Sequence, residues 1–117
     1  MAIFVRPATW SYDIELFRAA TADEDQLEAL LAATATADQA LWVAESNERP
    51  AAFVWTKRET GCVRLLRVYA SPGEDPRPLL TPLLQRIRDE AGAGVRLETD
   101  AGASGVLGDI VRPMKDP

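Results

Sequence analysis

The chain has 117 residues, 47% of them apolar and 26% charged, a balance that suits one globular domain with its own core rather than a disordered chain. It has no histidine and one cysteine, which excludes Ser-His-Asp and Cys-His catalysis, histidine zinc motifs, Cys-pair zinc sites and internal disulfides. The 18 acids outnumber the 13 bases, giving a net charge of −5 that argues against a nucleic-acid partner. No apolar run approaches the ~20 residues of a membrane span, and no secretory h-region opens the chain. No membrane partner and a cytoplasmic location are therefore expected.

The first element is a short apolar strand over Ala2–Arg6, ended by Pro7. Asp13–Ala19 alternates, with Ile14 and Leu16 on one face and Glu15 and Phe17 on the other, and reads as a second strand. Thr21 and Glu24 match a capping box, and Leu27, Leu30, Leu31 and Thr34 then share a helix face over about 22–34. Asp23, Glu24 and Asp25 fall in its first turn, where the helix dipole favours acids over any metal-binding role.

Three strand-like runs follow: Leu41–Glu45, Ala51–Lys57 and Cys62–Ala70. The turns between them, Ser46–Pro50 and Glu59–Gly61, make this an antiparallel meander. In the last run Arg64 and Leu66 oppose Val63 and Leu65, so its alternation is imperfect. After the proline-dense stretch SPGEDPRPLLTP, the residues Leu83, Leu84, Ile87 and Ala91 mark a helix closed by Gly92. Thr81 as N-cap with Pro82 at the first helical position is the expected start, because Pro82 inside the helix costs about 3 kcal/mol. Val95–Thr99 is the last strand, and its order after a helix implies a parallel partner reached by a right-handed crossover. From Asp100 the Gly- and Ala-rich tail suffices for one short helix. The class is α/β in its mixed α+β form.

This element order, with its local strings, resembles the GCN5-related N-acetyltransferase (GNAT) superfamily over residues 13–105. IELFRAATADEDQLEALL looks like the family's first strand and helix, and WVAESNERPAAFVW like its second and third strands. RVYASP sits where the fourth strand ends, and LLQRIRDEAGAGVRLETDAG looks like the third helix and fifth strand. Residues 1–12 are then an extra N-terminal strand and loop, and 106–117 a short tail, within one domain spanning 1–117. The resemblance implies a mostly antiparallel sheet whose fourth and fifth strands are parallel and splay apart. In the family the fourth strand pairs with the pantetheine arm of acetyl-CoA, and a Q/R-x-x-G-x-G/A loop holds the pyrophosphate at a helix start.

Any cofactor contact would accordingly fall on Val68, Tyr69 and Ala70 at the end of the fourth strand, and on Arg77, Leu79 and Leu80 in the loop. Counted from Ser71-Pro72, the loop motif covers Asp75 to Leu80, and each defining position is changed. Asp75 stands at the Q/R position, Pro78 and Leu80 at the small-residue positions, and Pro76 and Pro78 lack a backbone donor. Arg77 is the one cation left in the loop to meet a phosphate. No tyrosine follows Thr99 to act as the family's general acid, and Glu45, Glu48 and Glu59 are expected to solvate strand ends. Tyr69 either lines a ligand cleft or packs as a strand aromatic.

A degenerate acetyltransferase fold acting as a binding or regulatory module, with no cofactor expected, is the favoured reading. The alternative is an acyl-CoA-dependent N-acyltransferase with an atypical phosphate loop and acetyl-CoA as cofactor, in which water protonates the thiolate. With 18 residues after Thr99, the fifth strand is expected to need cover, either from Ala2–Arg6 or from a partner chain. A homodimer formed by strand exchange is the expected answer, with Trp42 and Trp55 as candidate interface aromatics and a further protein partner left open.

Overall fold

Two side-chain patterns divide the chain: period-two strands that carry apolar residues on both faces, and helices that carry them on one. In the computed structural model, which describes residues 3–33, 35–73, 75–92 and 94–99, they assemble into a sheet with helices on both sides. The strands are β1 (Ile3–Pro7), β2 (Gln39–Ser46), β3 (Arg49–Glu59), β4 (Cys62–Ala70) and β5 (Arg96–Thr99), in the spatial order β1-β2-β3-β4-β5. All neighbours are antiparallel except β4 and β5, which are parallel as expected. The helices are α1 (Trp10–Ala20), α2 (Glu24–Ala33) and α3 (Pro76–Ala91). The mixed α+β class expected from the element order is the observed one.

The β2–β3 turn closes through Asn47 and Glu48 at φ 52° and 69°, the paired left-handed conformation that matches strand twist in a tight hairpin. On one face of the sheet, Leu79, Leu80, Leu83, Leu84 and Ile87 of α3 pack on Ala44, Val54, Val63, Leu65 and Leu97. On the other, Leu16, Phe17, Leu27 and Leu30 of α1 and α2 pack on Leu41, Val43 and Phe53. Trp42 and Trp55 take part in these two cores as partly buried members. Arg86 lies over the Trp42 ring at 5.2 Å, and Trp55 Nε1 donates to Gln39 Oε1 at 2.9 Å. Both tryptophans therefore have intramolecular packing roles, and their availability for a partner is correspondingly reduced.

Asp13–Ala19 is helix, not strand. Asp13, Leu16, Phe17 and Ala20 are the buried positions, and their spacing of three, four and seven follows one helix face. Apolar alternation over four residues coincided with this pattern. Asp13 also reaches back to accept the Thr9 N–H at 2.8 Å, as a capping carboxylate does. The first strand of the sheet is thus β1 itself rather than an extra element.

Thr21 does not open α2. Its hydroxyl donates back to the Phe17 carbonyl at 3.0 Å and closes α1. Asp23 caps α2 instead, accepting the Gln26 N–H at 2.9 Å, while Gln26 Oε1 accepts from the Ala22 N–H at 3.0 Å. The box exists two residues later than expected. Thr34 and the tail from Asp100 lie outside the described residues.

The imperfect alternation of β4 has a physical cause. Trp55 faces Arg67 and Thr56 faces Leu65, so Leu66 is an extra residue that forms a β-bulge. The bulge resets the phase: Val63 and Leu65 before it, and Val68 and Ala70 after it, all point towards α3. Arg67 and Tyr69 turn to the other face, where the Arg67 guanidinium donates to the Ala20 carbonyl at the end of α1.

Helix α3 starts at Pro76, nearly two turns earlier than expected, with Asp75 as N-cap and Pro82 inside it. The local cost of Pro82, about 3 kcal/mol, is offset by five buried Leu and Ile side chains worth about 1.5–3 kcal/mol each. Starting at Thr81 would take Leu79 and Leu80 out of the helix face that buries them. Burial wins. Gly92 closes the helix as expected, at φ 96° with its N–H on the Arg88 carbonyl at 3.2 Å.

β1 does not cover β5 within the chain, because it lies at the opposite edge of the sheet and pairs with β2. It is pinned there by charge. Arg6 Nη1 and Nη2 meet both carboxylate oxygens of Asp13 at 2.8 and 2.7 Å, and Arg6 Nε donates to Glu45. Asp13 is fully buried, and its partnership with Arg6 pushes the guanidinium pKa further above its ordinary value. Glu45 is therefore part of an ion network and not a simple solvated strand end.

Two stability outcomes follow from these contacts. Asp13→Ala leaves Arg6 half-buried with one carboxylate fewer and is expected to cost about 3–5 kcal/mol in urea unfolding. A loss below about 1 kcal/mol would mean that Glu45 alone suffices to hold Arg6. Pro82→Ala restores a donor to the Pro78 carbonyl and should raise stability by about 1–3 kcal/mol in the same assay. An unchanged midpoint would show that the helix suffers no loss at Pro82.

Candidate functional site

The parallel partnership of β4 is short. Cys62–Leu65 pair with Arg96–Thr99, and among the described residues no strand lies beyond Leu65 on that side. Leu66–Ala70 therefore present an edge of backbone N–H and C=O groups just past the bulge. This is the geometry of a strand able to take an extended, amide-bearing ligand by backbone pairing.

Three candidate residues lie on this edge. Val68 and Ala70 pack against the α3 core and offer the ligand mainly their backbone. Tyr69 is half-buried on the opposite face, its ring 5.8 Å from Phe53, which in turn meets Phe17 edge-on at 5.3 Å. It is both a packed strand aromatic and a wall of the open edge.

The other three lie on α3. Arg77 is exposed in the first turn, on the same helix end as the strand edge. Leu79 and Leu80 are buried in the α3 core, so their side chains serve packing rather than a ligand. Leu80 faces inward because the helix begins four residues before it, at Pro76.

The donor inventory at this helix start is short. Pro76 and Pro78 have no N–H, and the Arg77 N–H is accepted by Asp75 Oδ1 at 3.1 Å. Leu79 is the first position whose N–H has a carbonyl four residues back to meet within the helix. The Asp75 carboxylate therefore occupies the place where a helix start would receive an external anion. The preceding Ser71 N–H is committed to the Ala51 carbonyl at 2.8 Å, and Gly73 turns the chain at φ 86°.

At the other end of β4 lies a charged patch that sequence reasoning did not assemble. Arg64 contacts Glu59 at 3.1 Å and Glu98 at 3.4 Å, joining the β3–β4 turn to β5. Glu59 has this structural role. Glu48 offers its backbone carbonyl to the Tyr12 hydroxyl at 3.3 Å, a tie between the hairpin turn and α1. Two further arginine contacts hold the α1 side: Arg6 with Asp13, 7 residues apart, and Arg67 with the Ala20 carbonyl, 47 residues apart. The unbalanced arginine inside each apolar strand was the available signal.

Cys62 opens β4 beside this patch and is buried. Burial first, then the negative charges of Glu98 and Glu59, push its thiol pKa up from 9.0. The unfolded chain therefore loses the thiol proton first, so stability from this group is complete below 9.0 and falls as pH rises above it. Alkylation by iodoacetamide at pH 8 should be at least about tenfold slower in the folded chain than in urea. Equal rates would show an accessible thiol.

No family model and no curated protein sequence matches the chain. Solved structures do. An N-acetyltransferase from Staphylococcus aureus Mu50 superposes with a TM-score of 0.75 at 16% identity, covering 97% of this chain and 81% of that one. The aminoglycoside N-acetyltransferase AAC(6')-Iy, in complex with the bisubstrate analog CoA-S-monomethyl-acetylneamine, gives 0.73 at 14% identity over 97% and 88% of the two chains. Glucosamine-6-phosphate N-acetyltransferase from Arabidopsis thaliana gives 0.68 at 14% over 97% and 89%. The five-stranded mixed sheet with its parallel β4–β5 pair and three helices is thus a known architecture, and the fold of this chain is that of the GCN5-related N-acetyltransferases.

Proposed function

We propose that this chain uses the acetyltransferase fold as a cytoplasmic binding or regulatory module, a pseudoenzyme that does not hold acetyl-CoA through its helix start. The observation that carries this reading is the self-capped α3. Asp75 takes the Arg77 N–H, and the flanking prolines supply none. A pyrophosphate placed there would meet a carboxylate instead of free donors, and like charges in contact repel. Arg77 alone is a weak substitute, since one exposed cation contributes little in water.

A second reading has an observation of its own. The open edge over Leu66–Ala70 and the bulge at Leu66 favour an extended pantetheine-like arm on β4. On that reading the chain is an N-acyltransferase that uses acetyl-CoA, held by strand pairing and by Val68, Tyr69 and Ala70. Its catalysis would rest on positioning an amine that loses its proton as the amide forms, with water protonating the coenzyme A thiolate that leaves.

Calorimetric titration with acetyl-CoA separates the two. The module reading expects no saturable heat up to about 1 mM, a limit near −4 kcal/mol of binding free energy. The triple variant Asp75→Ala, Pro76→Ser, Pro78→Gly frees the first-turn donors without touching the buried leucines, and should bind measurably. Micromolar binding by the wild-type chain would overturn the module reading and support the enzyme.

A further inference from the structure

The β1 edge is short, apolar and phased. Ala8 N–H donates to the Leu41 carbonyl at 2.9 Å, and β1 continues in register from Pro7 opposite Trp42 to Ile3 opposite Ser46. Alternation along an antiparallel ladder then turns the backbone groups of Arg6 and Phe4 towards β2. Those of Ile3 and Val5 point outward, and among the described residues no strand meets them. Pro7 also falls on the outer side, where its missing N–H costs the sheet nothing. Its carbonyl is taken by Arg6 Nη1 at 3.2 Å.

Edge strands in stable monomers are usually blunted by a free charge, a bulge or a covering segment. β1 has no bulge, and its one charge, on Arg6, is met by Asp13 and Glu45. Phe4 is 62% exposed, the most exposed large apolar side chain among the described residues. An unpaired edge beside an exposed aromatic marks an association surface.

We infer that β1 pairs antiparallel with β1 of a second copy of this chain across a two-fold axis at Phe4. The register follows from the donors. With the axis at Phe4, both backbone groups of Ile3 meet both backbone groups of Val5 of the second copy, and the reverse. The two Phe4 residues then form a non-hydrogen-bonded pair, the kind that brings side chains closest. An axis at Val5 would instead set Ile3 against Pro7, which has no N–H and whose carbonyl is already engaged.

The same facts select the occupant. A longer, unrelated strand would run past Val5 onto Pro7 and find no donor there. A second copy has an apolar segment of matching length and puts no like charges in register. No uncompensated charge on β1 recruits an acidic or basic peptide. The two sheets become one continuous sheet, and the edge is removed by isologous closure. This differs from strand exchange, since each β1 stays on its own sheet. The acetyl-CoA question has no bearing on it.

Sedimentation equilibrium of the full chain tests the pairing. Wild-type mass should rise with concentration towards twice that of one chain, and Phe4→Glu, at an exposed position that leaves the core intact, should weaken association by roughly tenfold or more. Hydrogen exchange supplies the register: protection of the Ile3 and Val5 amides should grow with protein concentration. The Phe4 and Arg6 amides, bonded to β2, should not change. A single-chain mass at all concentrations up to about 1 mM, where a binding free energy weaker than −4 kcal/mol would leave the chain mostly single, overturns the inference. So does a dimer unaffected by Phe4→Glu, or one that leaves Ile3 and Val5 exchanging freely.

Discussion

A buried carboxylate sets the terms of this fold. Asp13 lies in the first turns of α1 with no exposure, and only the Arg6 fork and the Thr9 N–H make that position tolerable. The arginine is on the edge strand and the N–H belongs to the N-cap of α1, so a single charge fixes the strand, the cap and the helix direction together. Glu45 extends the tie to β2. Tyr12 lies beneath the same guanidinium at 5.2 Å and carries the link to the hairpin turn through Glu48. The α1 side of the sheet is held by electrostatics as much as by the contact of Phe17 with Phe53.

The α3 side is held differently. There the sheet meets one long helix whose buried face is almost wholly leucine, and the contact is strong enough to carry a proline in the helix interior. The prolines around the acidic cap of α3 therefore do not make this helix start structurally weak. Packing and end chemistry are separable here, because the buried leucines use a side face of α3 while first-turn N–H groups point off its N-terminal end.

The meander was legible from residue types, since β-branched and aromatic runs between turn residues leave few other options. The parallel β4–β5 pair was legible from element order, and Gly92 from its place after the last apolar helix position. The strand expected at Asp13–Ala19 failed because a window of four alternating residues cannot exclude a helix. The deciding signal was the wider spacing Asp13, Leu16, Phe17, Ala20. The start of α3 failed because a local penalty at Pro82 was weighed without the burial of Leu79 and Leu80. At the candidate site the prolines and Asp75 could be read directly, but the donor inventory could not: that Asp75 takes the Arg77 N–H is a matter of geometry. The bulge at Leu66 was visible only as a broken alternation, and its identity needed the partner strand.

The placement of β1 also has an entropic side. The β2–β3 turn closes with Asn47 and Glu48 alone, whereas joining β1 to β2 closes the whole segment 8–38, which contains two helices. Treated as flexible chain, the longer closure costs about 2 kcal/mol more. Preformed α1 and α2 reduce that difference by shortening the flexible part of the segment. The central hairpins are thus the cheapest part of the sheet to close. Contact order rises at β1, so its docking belongs to the slow, non-local stage of assembly, and the Arg6 ion network supplies the local free energy that closure entropy removes.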